Sequence, residues 1–535
     1  MAKQQLKKPS FFETDRFAVA LIVVVCFILY CQTTSFGFVW DDLRTHFVGN
    51  KDFRSGNFEG LWNKAYEGMY VPVSYTFWLV VYKLTGGVKI PIPFYMHFAN
   101  IAIHTINCLL VFVLAKKISK NNFTSLIAAL FFAVHPLQAE TVAWISELRG
   151  LLAACFMLLG MLLFYKYKSE NKFTNTNFIL VLLMGLFAML SKPVAVIYPV
   201  LLFLIDYFVM KQFSKKNILH YMIIAASLIP FAVFTAQLQP TVLHEMQYPF
   251  WLRGILPFFS FAFYLLKLFL PYGYCASYAY TPLFLQDSFL LLSGSVLLSV
   301  IVIFYCYKKR KDNKILLFAF LFFVVGFLPV SGVTTFYFQQ FSNVADRYLY
   351  VSLVGISFFL AVELQAMQKL FVNYKFRLTV LGVIAALALI NYSAQKKWKD
   401  DVVLWEDTTE KKPEQVSAWH NLGVAYLDQG NNLDKALPAI SRALELNPNY
   451  DKALMNKANI LARKGKLEEA ITAFSRVIEL KPDNALAWYN RSLTYYQLKM
   501  FDHAQQDFSN AERLGHYVNE DYRKALARTN QTRNQ

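Results

Sequence analysis

Charged residues are scarce in this chain of 535 residues, where they make up 16% of the composition, compared with about 25% in soluble domains. Hydrophobic residues make up 56% and aromatic residues 17%, which excludes an ordinary soluble enzyme. Phenylalanine is nearly absent from the end of the chain, because only Phe474, Phe501 and Phe508 of the 50 lie after residue 394. The sequence therefore predicts a lipid-immersed domain over 1–394 and a water-soluble helical domain over 395–535.

Cysteine is also scarce, and its spacing fits no metal site. Most of the six cysteines lie inside apolar runs, which is typical of small buried hydrophobic residues. Neither a disulfide framework nor a zinc site is therefore expected. The six are Cys26, Cys31, Cys108, Cys155, Cys275 and Cys306.

Acidic residues are outnumbered by basic ones, which gives the chain a formal net charge of +18. Such an excess can mark a nucleic-acid-binding protein, but here the lysines stand in short runs between apolar segments. Membrane proteins place lysine and arginine in this way in their cytoplasmic loops. We therefore expect these basic residues to lie beside a lipid bilayer, and we expect no nucleic acid as a partner.

Eleven apolar stretches are long enough to span a bilayer, which requires about 20 mostly apolar residues. The first follows Lys3, Lys7 and Lys8 and has no small-residue cleavage site, so it is predicted to be an anchor with a cytoplasmic N-terminus. The eleven stretches are 16–36, 94–115, 122–138, 149–167, 175–191, 194–210, 217–237, 287–307, 314–330, 347–366 and 376–393.

Alternation of these spans places every lysine run on the cytoplasmic side only if a further apolar stretch, 254–271, lies in the interface or re-enters the membrane. The first external loop, 37–93, and the C-terminal domain then lie together on the opposite side. The sequence thus predicts a multi-pass protein of the plasma membrane, which in bacteria is the inner membrane, with an extracytoplasmic C-terminal domain.

The C-terminal domain repeats itself every 34 residues, which is the period of tetratricopeptide repeats. We predict about three repeats over 416–517, preceded by a partial helix around Trp398 to Trp405 and closed by a capping helix near 518–529. Stacked helix pairs form a concave surface for peptides; a spacer or a dimerisation module is the alternative. The residues that recur at this spacing are Ala436, Ala470 and Ala504, and Pro448 and Pro482.

Two adjacent carboxylates, Asp41 and Asp42, follow the first span directly. Just outside the membrane and beside Trp40, such a pair can supply one base with a raised pKa and one partner that orients it or binds a metal. The alternative is a helix N-cap in a solvated loop. We take the pair as the candidate catalytic base, with Asp41 slightly favoured because it adjoins Trp40.

A polar stripe runs down the second predicted span. His97, Asn100, His104 and Asn107 fall within a sector of about 80° and extend over about 15 Å of one helix face. A polar face at this depth must be buried against protein or water. It either lines a substrate cavity or hydrogen-bonds the neighbouring helices.

Further ionisable residues lie in turns that the topology places on the same side as Asp41. Ionisable groups at membrane depth are costly and therefore point to function. Cations and carboxylates around one pocket suit an anionic, membrane-borne substrate whose phosphate the cations neutralise, whereas separate interfacial ion pairs are the alternative. These residues are His135, Glu140, Glu147, Arg149, Lys192, Asp346 and Arg347.

With these motifs in place, the sequence resembles the family of multi-pass O-mannosyltransferases with C-terminal tetratricopeptide repeats, in particular its bacterial relatives. Each motif is weak alone, but their common order over nearly the whole length is specific. The matching stretches are VWDDLRTHFVGN, YVPVSYTFW, YMHFANIAIHTIN, HPLQAETVAWISE, SKPVAVIYPVLLFLIDY, LPVSGVTT and VADRYLYVSLVGI, followed by the repeats.

The resemblance implies a glycosyltransferase of the GT-C class, an all-α membrane bundle of about eleven spans that takes a sugar from a polyprenyl-phosphate carrier. It implies that an acidic residue of the first external loop, Asp41 or Asp42, is the base. An inverting transfer also needs cations that stabilise the departing phosphate, and Arg347, Lys192 and Lys267 are the candidates to hold it. The sugar would be mannose or another hexose. The acceptor would be a Ser or Thr hydroxyl of an extracytoplasmic protein that the repeats present.

One departure from the family pattern concerns the segment after Trp-Ile-Ser. Many bacterial relatives carry Glu-Arg-Lys-Asp there, whereas this chain has Glu147, Leu148, Arg149 and Gly150. Glu147 and Arg149 are therefore secondary candidates for substrate binding. No cofactor is required: Asp, His and Glu side chains could ligate a divalent metal, but a monophosphate donor does not demand one.

Three other functions fit parts of the sequence. The same chemistry on a cell-envelope glycan or lipid changes only the acceptor. A non-enzymatic scaffold would need a single span as its anchor, and a transporter would show internal symmetry between the halves of the membrane domain, which the sequence does not display. A membrane glycosyltransferase that acts on proteins is the interpretation that accounts for most motifs.

Overall fold

The protein is helical and divides into two compact units. The computed structural model describes residues 14–86, 90–170, 172, 174–238, 248–516 and 519–533, and the predicted basic N-terminus, with Lys3, Lys7 and Lys8, lies outside these ranges. An isolated β-bridge joins Tyr66 and Met69, and helices make up most of the described residues. The all-α prediction is therefore confirmed. The units divide after Asp400, slightly beyond the boundary that the sequence places at 394.

The first unit contains twelve apolar helices, numbered α1 to α12, within its described residues. They are α1 (Asp15–Tyr30), α2 (Pro93–Ser119), α3 (Asn122–Val134), α4 (Leu148–Ser169), α5 (Asn175–Met189), α6 (Tyr198–Leu204), α7 (Ile218–Gln237), α8 (Phe250–Phe269), α9 (Phe289–Lys309), α10 (Lys314–Phe327), α11 (Ser352–Ala366) and α12 (Tyr374–Gln395).

Many of these helices have the length and composition of membrane spans. In the described part of the chain, eight helical segments are long and apolar enough to cross a membrane, and α3 with the adjoining segment Pro136–Ala143 would form a ninth that bends by 51°. Three shorter apolar helices, α5, α10 and α11, complete the set. The chain is therefore a multi-pass membrane protein.

The helices begin and end where the sequence supplies capping groups. The side chains of Thr14 and Asn121 each accept a backbone N–H from the first turn of α1 and α3, because these donors have no partner within the helix. Helix α2 begins at Pro93, whose fixed backbone angle suits a first turn. It ends at Lys120, which adopts a left-handed φ of 59°.

Three helix ends meet at one end of the bundle, termed the loop end, where α1 finishes. The Tyr30 hydroxyl donates to the carbonyl of Ala133 near the end of α3 (3.1 Å), and the Asn391 amide near the end of α12 donates to the Tyr30 hydroxyl (2.9 Å). The backbone N–H of Gly37 donates to the carbonyl of Lys399 (2.8 Å). The chain therefore leaves the first unit at the loop end.

The opposite end of the bundle carries basic residues at the helix termini. Asp15 at the start of α1 forms an ion pair with Lys116 near the end of α2 (2.6 Å). Lys168 at the end of α4 pairs with Asp206. Because α1 runs from this end to the loop end, where the last residues of the first unit also lie, the described part of the first unit begins and ends at opposite ends of the bundle.

Helix α8 is the apolar stretch that the sequence predicts to lie in the interface or to re-enter. Its Ser260 hydroxyl donates to the carbonyl of Ser331 (3.0 Å), and its Tyr264 hydroxyl donates to the carbonyl of Ala345 (3.3 Å). The carbonyl of Leu268 accepts from an imidazole nitrogen of His135 (3.3 Å). Two turns of α8 thus bond to segments of the loop end. Its length and composition also allow a full span, so its orientation in a membrane stays a prediction.

The described part of the loop, 37–86 and 90–93, is folded and packed onto the bundle. An aromatic core of Phe47, Phe53, Tyr75 and Trp78 is buried within it. The Ser74 hydroxyl donates to the carbonyl of Ser191 (3.0 Å), which anchors the loop beyond the end of α5. The described loop helices are Asp42–Val48, a π-helix, and Lys51–Ser55, Phe58–Asn63 and Pro72–Leu84.

The second unit is a stack of helix pairs, as the 34-residue period predicts. The alanines at this spacing are fully buried where the helices cross, and Asn431 adopts a left-handed φ of 57°, which accommodates the extra residue of the first turn. Trp398 lies in a 3₁₀ turn of the first unit, so the predicted partial helix begins only at Asp401. The helices are Asp401–Lys411, Val416–Asp428, Leu433–Leu446, Asp451–Arg463, Leu467–Leu480, Ala485–Gln497, Phe501–Arg513 and Glu520–Arg533.

The packing of α4 against α6 gives a test of the fold. A Cβ atom at Gly160 would overlap the buried Tyr198 hydroxyl, which donates to the carbonyl of Val181 (3.1 Å). Gly160→Ala is therefore expected to lower the free energy of unfolding by about 1–3 kcal/mol, the usual cost of an overpacked core. Thermal unfolding of the purified protein in detergent measures this. Gly294→Ala is the control, because nothing lies within 4 Å of its Cβ position, and an equal loss in both variants would contradict the packing.

Candidate functional site

The two adjacent carboxylates occupy different environments at the start of the loop. Asp42 is fully buried, whereas 29% of the Asp41 side chain is exposed. Trp40, just before them, has a φ of 57°, a conformation that is costly for a bulky residue. Its ring stacks on Trp144 at 5.2 Å, a contact that fixes the turn from which both carboxylates project.

Asp42 is held by three hydrogen bonds. Its carboxyl accepts the backbone N–H of Val39 (3.0 Å) and of Ser146 (2.9 Å), and the Ser146 hydroxyl lies 2.5 Å from it. The segments that carry Val39 and Ser146 are thereby joined through one side chain. This bonding explains why Asp42 is buried, and it makes Asp42 a residue that positions the loop.

Asp41 faces the same serine and a histidine. The Ser146 hydroxyl donates to its carboxylate (3.0 Å), and His46 Nε2 lies 3.2 Å from it. The other ring nitrogen of His46 bonds the Tyr75 hydroxyl (2.7 Å), which fixes the orientation of the imidazole. The sequence motifs contain Ser146, His46 and Tyr75, but nothing in their spacing shows that they surround Asp41.

The two carboxyl groups differ in pKa. Burial would raise the pKa of Asp41, but the charge and hydrogen bond of His46 and the charge of Arg149 lower it to about 2. Burial and the charge of Asp41 raise the pKa of Asp42 well above its usual range. The pair therefore holds negative charge more readily on the partly exposed Asp41 than on the buried Asp42.

Buried ion pairs surround this pair of carboxylates. Arg347 bonds Glu140 (2.5 Å) and lies 3.7 Å from Glu147, which in turn bonds Lys192 (2.7 Å). Glu140, Glu147 and Arg347 are each less than a tenth exposed. The convergence predicted for these residues is therefore present: the structure brings all four into one network, and each cation in it already has a carboxylate partner.

Arg149 is the cation of this site with spare bonding capacity. Its Nε donates to the carbonyl of Ser146 (2.8 Å), the residue that bridges Asp41 and Asp42. Arg149 is 5% exposed, and its buried Nη1 has no hydrogen-bond partner in the described part of the chain. Burying a guanidinium nitrogen without an acceptor costs free energy. The Nη1 of Arg149 is therefore available to donate a hydrogen bond to an anion.

Aromatic rings enclose the network on one side. Trp144 stacks on Trp40 and also on Trp398, whose ring lies 5.4 Å away. The Arg347 guanidinium lies over the ring of Phe338 at 4.1 Å. These rings exclude water from the ion pairs and thereby strengthen them.

The polar stripe of α2 serves helix packing. His97, Asn100, His104 and Asn107 are all fully buried. His97 Nε2 bonds the carbonyl of Gly37 (3.3 Å), and the Asn100 amide donates to the carbonyl of Trp144 (2.9 Å). Of the two predicted alternatives, hydrogen bonding to neighbouring segments is the one that these contacts show, rather than the lining of a substrate cavity.

His104 and Asn107 make the deeper contacts of the same stripe. Both bond the Tyr350 hydroxyl, from His104 Nδ1 (2.8 Å) and from the Asn107 amide (3.0 Å). The Asn107 amide also donates to the carbonyl of Leu151 (3.0 Å). The stripe thus joins α2 to α4 and to the segment before α11.

Lys267, expected at the phosphate, lies next to Asp346 instead of next to Asp41. Its ammonium donates to the carbonyl of Gly273 (3.2 Å) and stands 4.7 Å from the ring centre of Tyr278. The Tyr278 hydroxyl donates to Asp346 (2.7 Å). His135, which directly follows α3, bonds α8 as described above.

The C-terminal unit matches known repeat families. The tetratricopeptide repeat family matches residues 416–450, 439–472 and 485–514, and the TPR repeat family matches 458–499. A solved TPR protein with an unusual peptide-binding site, YrrB, is 24% identical and covers 29% of this chain and 83% of its own, with a TM-score of 0.22. The family matches confirm the prediction that the C-terminal domain consists of tetratricopeptide repeats.

Similarity over most of the chain is to protein O-mannosyl-transferases. The protein O-mannosyl-transferase F38B6.6 of Caenorhabditis elegans is 25% identical over 401 residues, which cover 72% of this chain and 54% of that protein. The human protein O-mannosyl-transferase TMTC4 is 25% identical over 488 residues, 78% of this chain and 64% of its own. The chain therefore spans little more than half the length of these relatives. The resemblance that its motifs indicate is confirmed: over most of its length this chain is similar to the multi-pass protein O-mannosyl-transferases with tetratricopeptide repeats.

Proposed function

We propose that this protein is a membrane glycosyltransferase that moves a hexose, mannose or a relative of it, from a polyprenyl-phosphate carrier to Ser or Thr hydroxyls of proteins. The observation that carries the proposal is the proximity of Asp41 and Arg149, whose charge lowers the pKa of the Asp41 carboxyl. Asp41 is partly exposed, and the buried Nη1 of Arg149 has no hydrogen-bond partner among the described residues. The names of the similar proteins support the same reaction class.

Asp41 is the proposed general base. In an inverting transfer the acceptor oxygen forms a bond to the sugar C1 while the bond from C1 to the phosphate oxygen breaks. The hydroxyl becomes strongly acidic as it bonds to C1, so an ionised carboxylate of low pKa can take its proton late in the step. The Ser146 hydroxyl holds Asp41 in place through its hydrogen bond, and Asp42 in turn holds Ser146.

Arg149 is the proposed contact for the departing phosphate. The phosphate gains negative charge as it leaves, and a preorganised guanidinium in a water-poor site stabilises that charge. Arg347 and Lys192 already neutralise Glu140 and Glu147. They contribute to the local potential, but their main role is to hold the segments together. This ranks Arg149 above Arg347, which reverses the order suggested by the sequence. The reaction requires no metal.

The repeats are the proposed recruitment surface for the acceptor protein, since stacked tetratricopeptide helices bind peptides. The protein would lie in the plasma membrane, or the inner membrane of a bacterium, with its N-terminus in the cytoplasm. The basic helix ends away from the loop support this orientation. The loop end would then face the extracytoplasmic side, where a flipped lipid-linked sugar and the acceptor meet.

Replacing the base is the first test. Asp41→Asn should reduce sugar transfer by about two to four powers of ten, the usual loss on removal of a general base. The protein is assayed in detergent or vesicles with a lipid-linked hexose and a Ser/Thr peptide. Glu59→Gln, an exposed change in the same loop, should keep full activity. Wild-type transfer by Asp41→Asn would move the search for the base to Glu140 or Glu147.

Asp42→Asn separates positioning from catalysis. The backbone N–H groups of Val39 and Ser146 bind different oxygens of the Asp42 carboxyl, and an amide keeps only one acceptor oxygen. We therefore expect a lower thermal midpoint together with a loss in transfer of about tenfold. Asp41→Asn, whose side chain is partly exposed, should unfold near the wild-type temperature. Equal transfer losses in both variants without any change in thermal midpoint would contradict this division of roles.

The two arginines are predicted to fail in different ways. Arg149→Lys loses the planar fork for phosphate and should raise KM for the donor by about tenfold to a hundredfold, given about 1.5–3 kcal/mol for a charged hydrogen bond. Arg347→Ala leaves Glu140 buried without its partner and should destabilise the fold by about 3–5 kcal/mol. Arg347→Lys retains the charge and should be milder. An unchanged KM in Arg149→Lys, or a stable Arg347→Ala, would overturn the assignment.

The orientation of the C-terminal unit is tested by reporter fusion. Alkaline phosphatase fused after Gln535 should be active, because this enzyme folds only outside the bacterial cytoplasm, where its disulfides form. A cytoplasmic reporter at the same position should be inactive. The reverse pattern would remove the repeats from the side of the proposed acceptor.

A further inference from the structure

Three buried side chains in the core of the first unit form a cluster that the proposed transfer reaction does not use. Cys26 of α1 and His104 and Cys108 of α2 point one ligand atom each toward a common centre, and these atoms all lie within 4.8 Å of one another. All three residues are completely buried. The spacing of these residues in the sequence does not indicate a metal site, because Cys26 is far from the other two along the chain.

The distances suit a shared metal ion. Cys108 Sγ lies 3.6 Å from His104 Nε2. Two ligands at zinc–sulfur and zinc–nitrogen distances of about 2.3 and 2.0 Å, in tetrahedral geometry, are separated by about 3.5 Å. The only other acceptor near His104 Nε2 in the described residues is the carbonyl of Ala133 at 3.4 Å, which is a weak hydrogen bond. His104 Nε2, the imidazole nitrogen that faces the sulfurs, therefore makes only weak hydrogen bonds.

The opposite side of the imidazole is firmly held. His104 Nδ1 bonds the Tyr350 hydroxyl (2.8 Å), which also accepts the Asn107 amide (3.0 Å). Metal-binding histidines almost always use their second nitrogen in this way, since the bond fixes the tautomer and the ring orientation. The ring is thus set with Nε2 toward the two sulfurs.

We propose that Cys26, His104 and Cys108 bind one thiophilic d10 metal ion, with two thiolates and one neutral imidazole as ligands. Thiolate and imidazole ligands select Zn(II) and Cu(I) over harder cations. The charge of Zn(II) neutralises the two thiolates, which favours Zn(II) in a site remote from water. Cu(I) has the advantage that three ligands satisfy its coordination. On binding, each thiol releases its proton to solvent and no electron is transferred.

The site would fasten the two helices that flank the loop 37–93. Cys26 lies one turn before the end of α1, and His104 and Cys108 lie in the middle of α2, which begins where the loop ends. A metal bridge between them would hold the base of the loop that carries Asp41. Because metal binding to the native state adds its free energy to folding, loss of the ion should lower the thermal midpoint.

The test uses the untagged full chain in detergent, stripped with a chelator and dialysed against Zn(II) in one arm and Cu(I) with reductant in the other. Metal analysis should find about one tightly held ion per chain in one arm, and the matching arm should show the higher thermal midpoint. Cys26→Ser and Cys108→Ser should each lose the ion. Cys155→Ser, a cysteine of α4 outside the cluster, should keep it.

A second measurement does not depend on variants that fail to fold. Co(II) loaded into the wild-type protein should show sulfur-to-cobalt charge-transfer absorption, which reports thiolate ligands directly. No retained ion in either arm, an ion retained equally by both cluster variants, or a disulfide between Cys26 and Cys108 in the purified chain would each overturn the proposal. None of these outcomes bears on transfer by Asp41, so the two proposals fail independently.

Discussion

The loop end of the bundle depends on compensation of buried charge. A carboxylate or ammonium taken out of water costs several kcal/mol, which a close partner of opposite charge must offset. Glu140, Arg347, Glu147 and Lys192 achieve this as a chain of ion pairs, and they come from three separate stretches of the chain. Removal of Arg347 takes the ion-pair partner from the buried Glu140, and removal of Glu147 takes it from Lys192. The network therefore fixes the relative positions of these stretches.

The need to compensate buried charge also distinguishes the residues of this site that hold the structure from those that can react. Two groups escape full compensation: Asp41, whose carboxylate is partly exposed, and Arg149, whose Nη1 has no acceptor among the described residues. Their opposite charges suit the two ends of a glycosyl transfer, where a proton is taken from the acceptor and negative charge develops on the phosphate. Asp42 and Ser146 link this pair to the network, since Ser146 contacts both carboxyl groups and accepts from Arg149.

Much of the fold follows from local patterns in the chain. The 34-residue recurrence of Ala436, Ala470 and Ala504 identified the repeats, because only a small side chain fits where paired helices cross. The length of the apolar segments identified the membrane helices. Within a bilayer the backbone groups of such a segment have to be hydrogen-bonded internally, and a helix achieves this. The boundary between the units was set slightly early, since the 3₁₀ turn with Trp398 packs its ring on Trp144 of the first unit although its composition is polar.

For the site, the sequence determined which side chains are costly to bury and therefore where function was to be sought, including Asp41, Arg149 and Arg347. The tertiary structure alone decided their roles. It showed that Arg347 is already paired with Glu140, whereas Arg149 Nη1 has no partner among the described residues. It also showed that His97 and His104 bond neighbouring segments and that Cys26 lies close to Cys108. The physical reason is that burial cost is a property of each residue type, whereas compensation depends on partners that approach from distant parts of the chain.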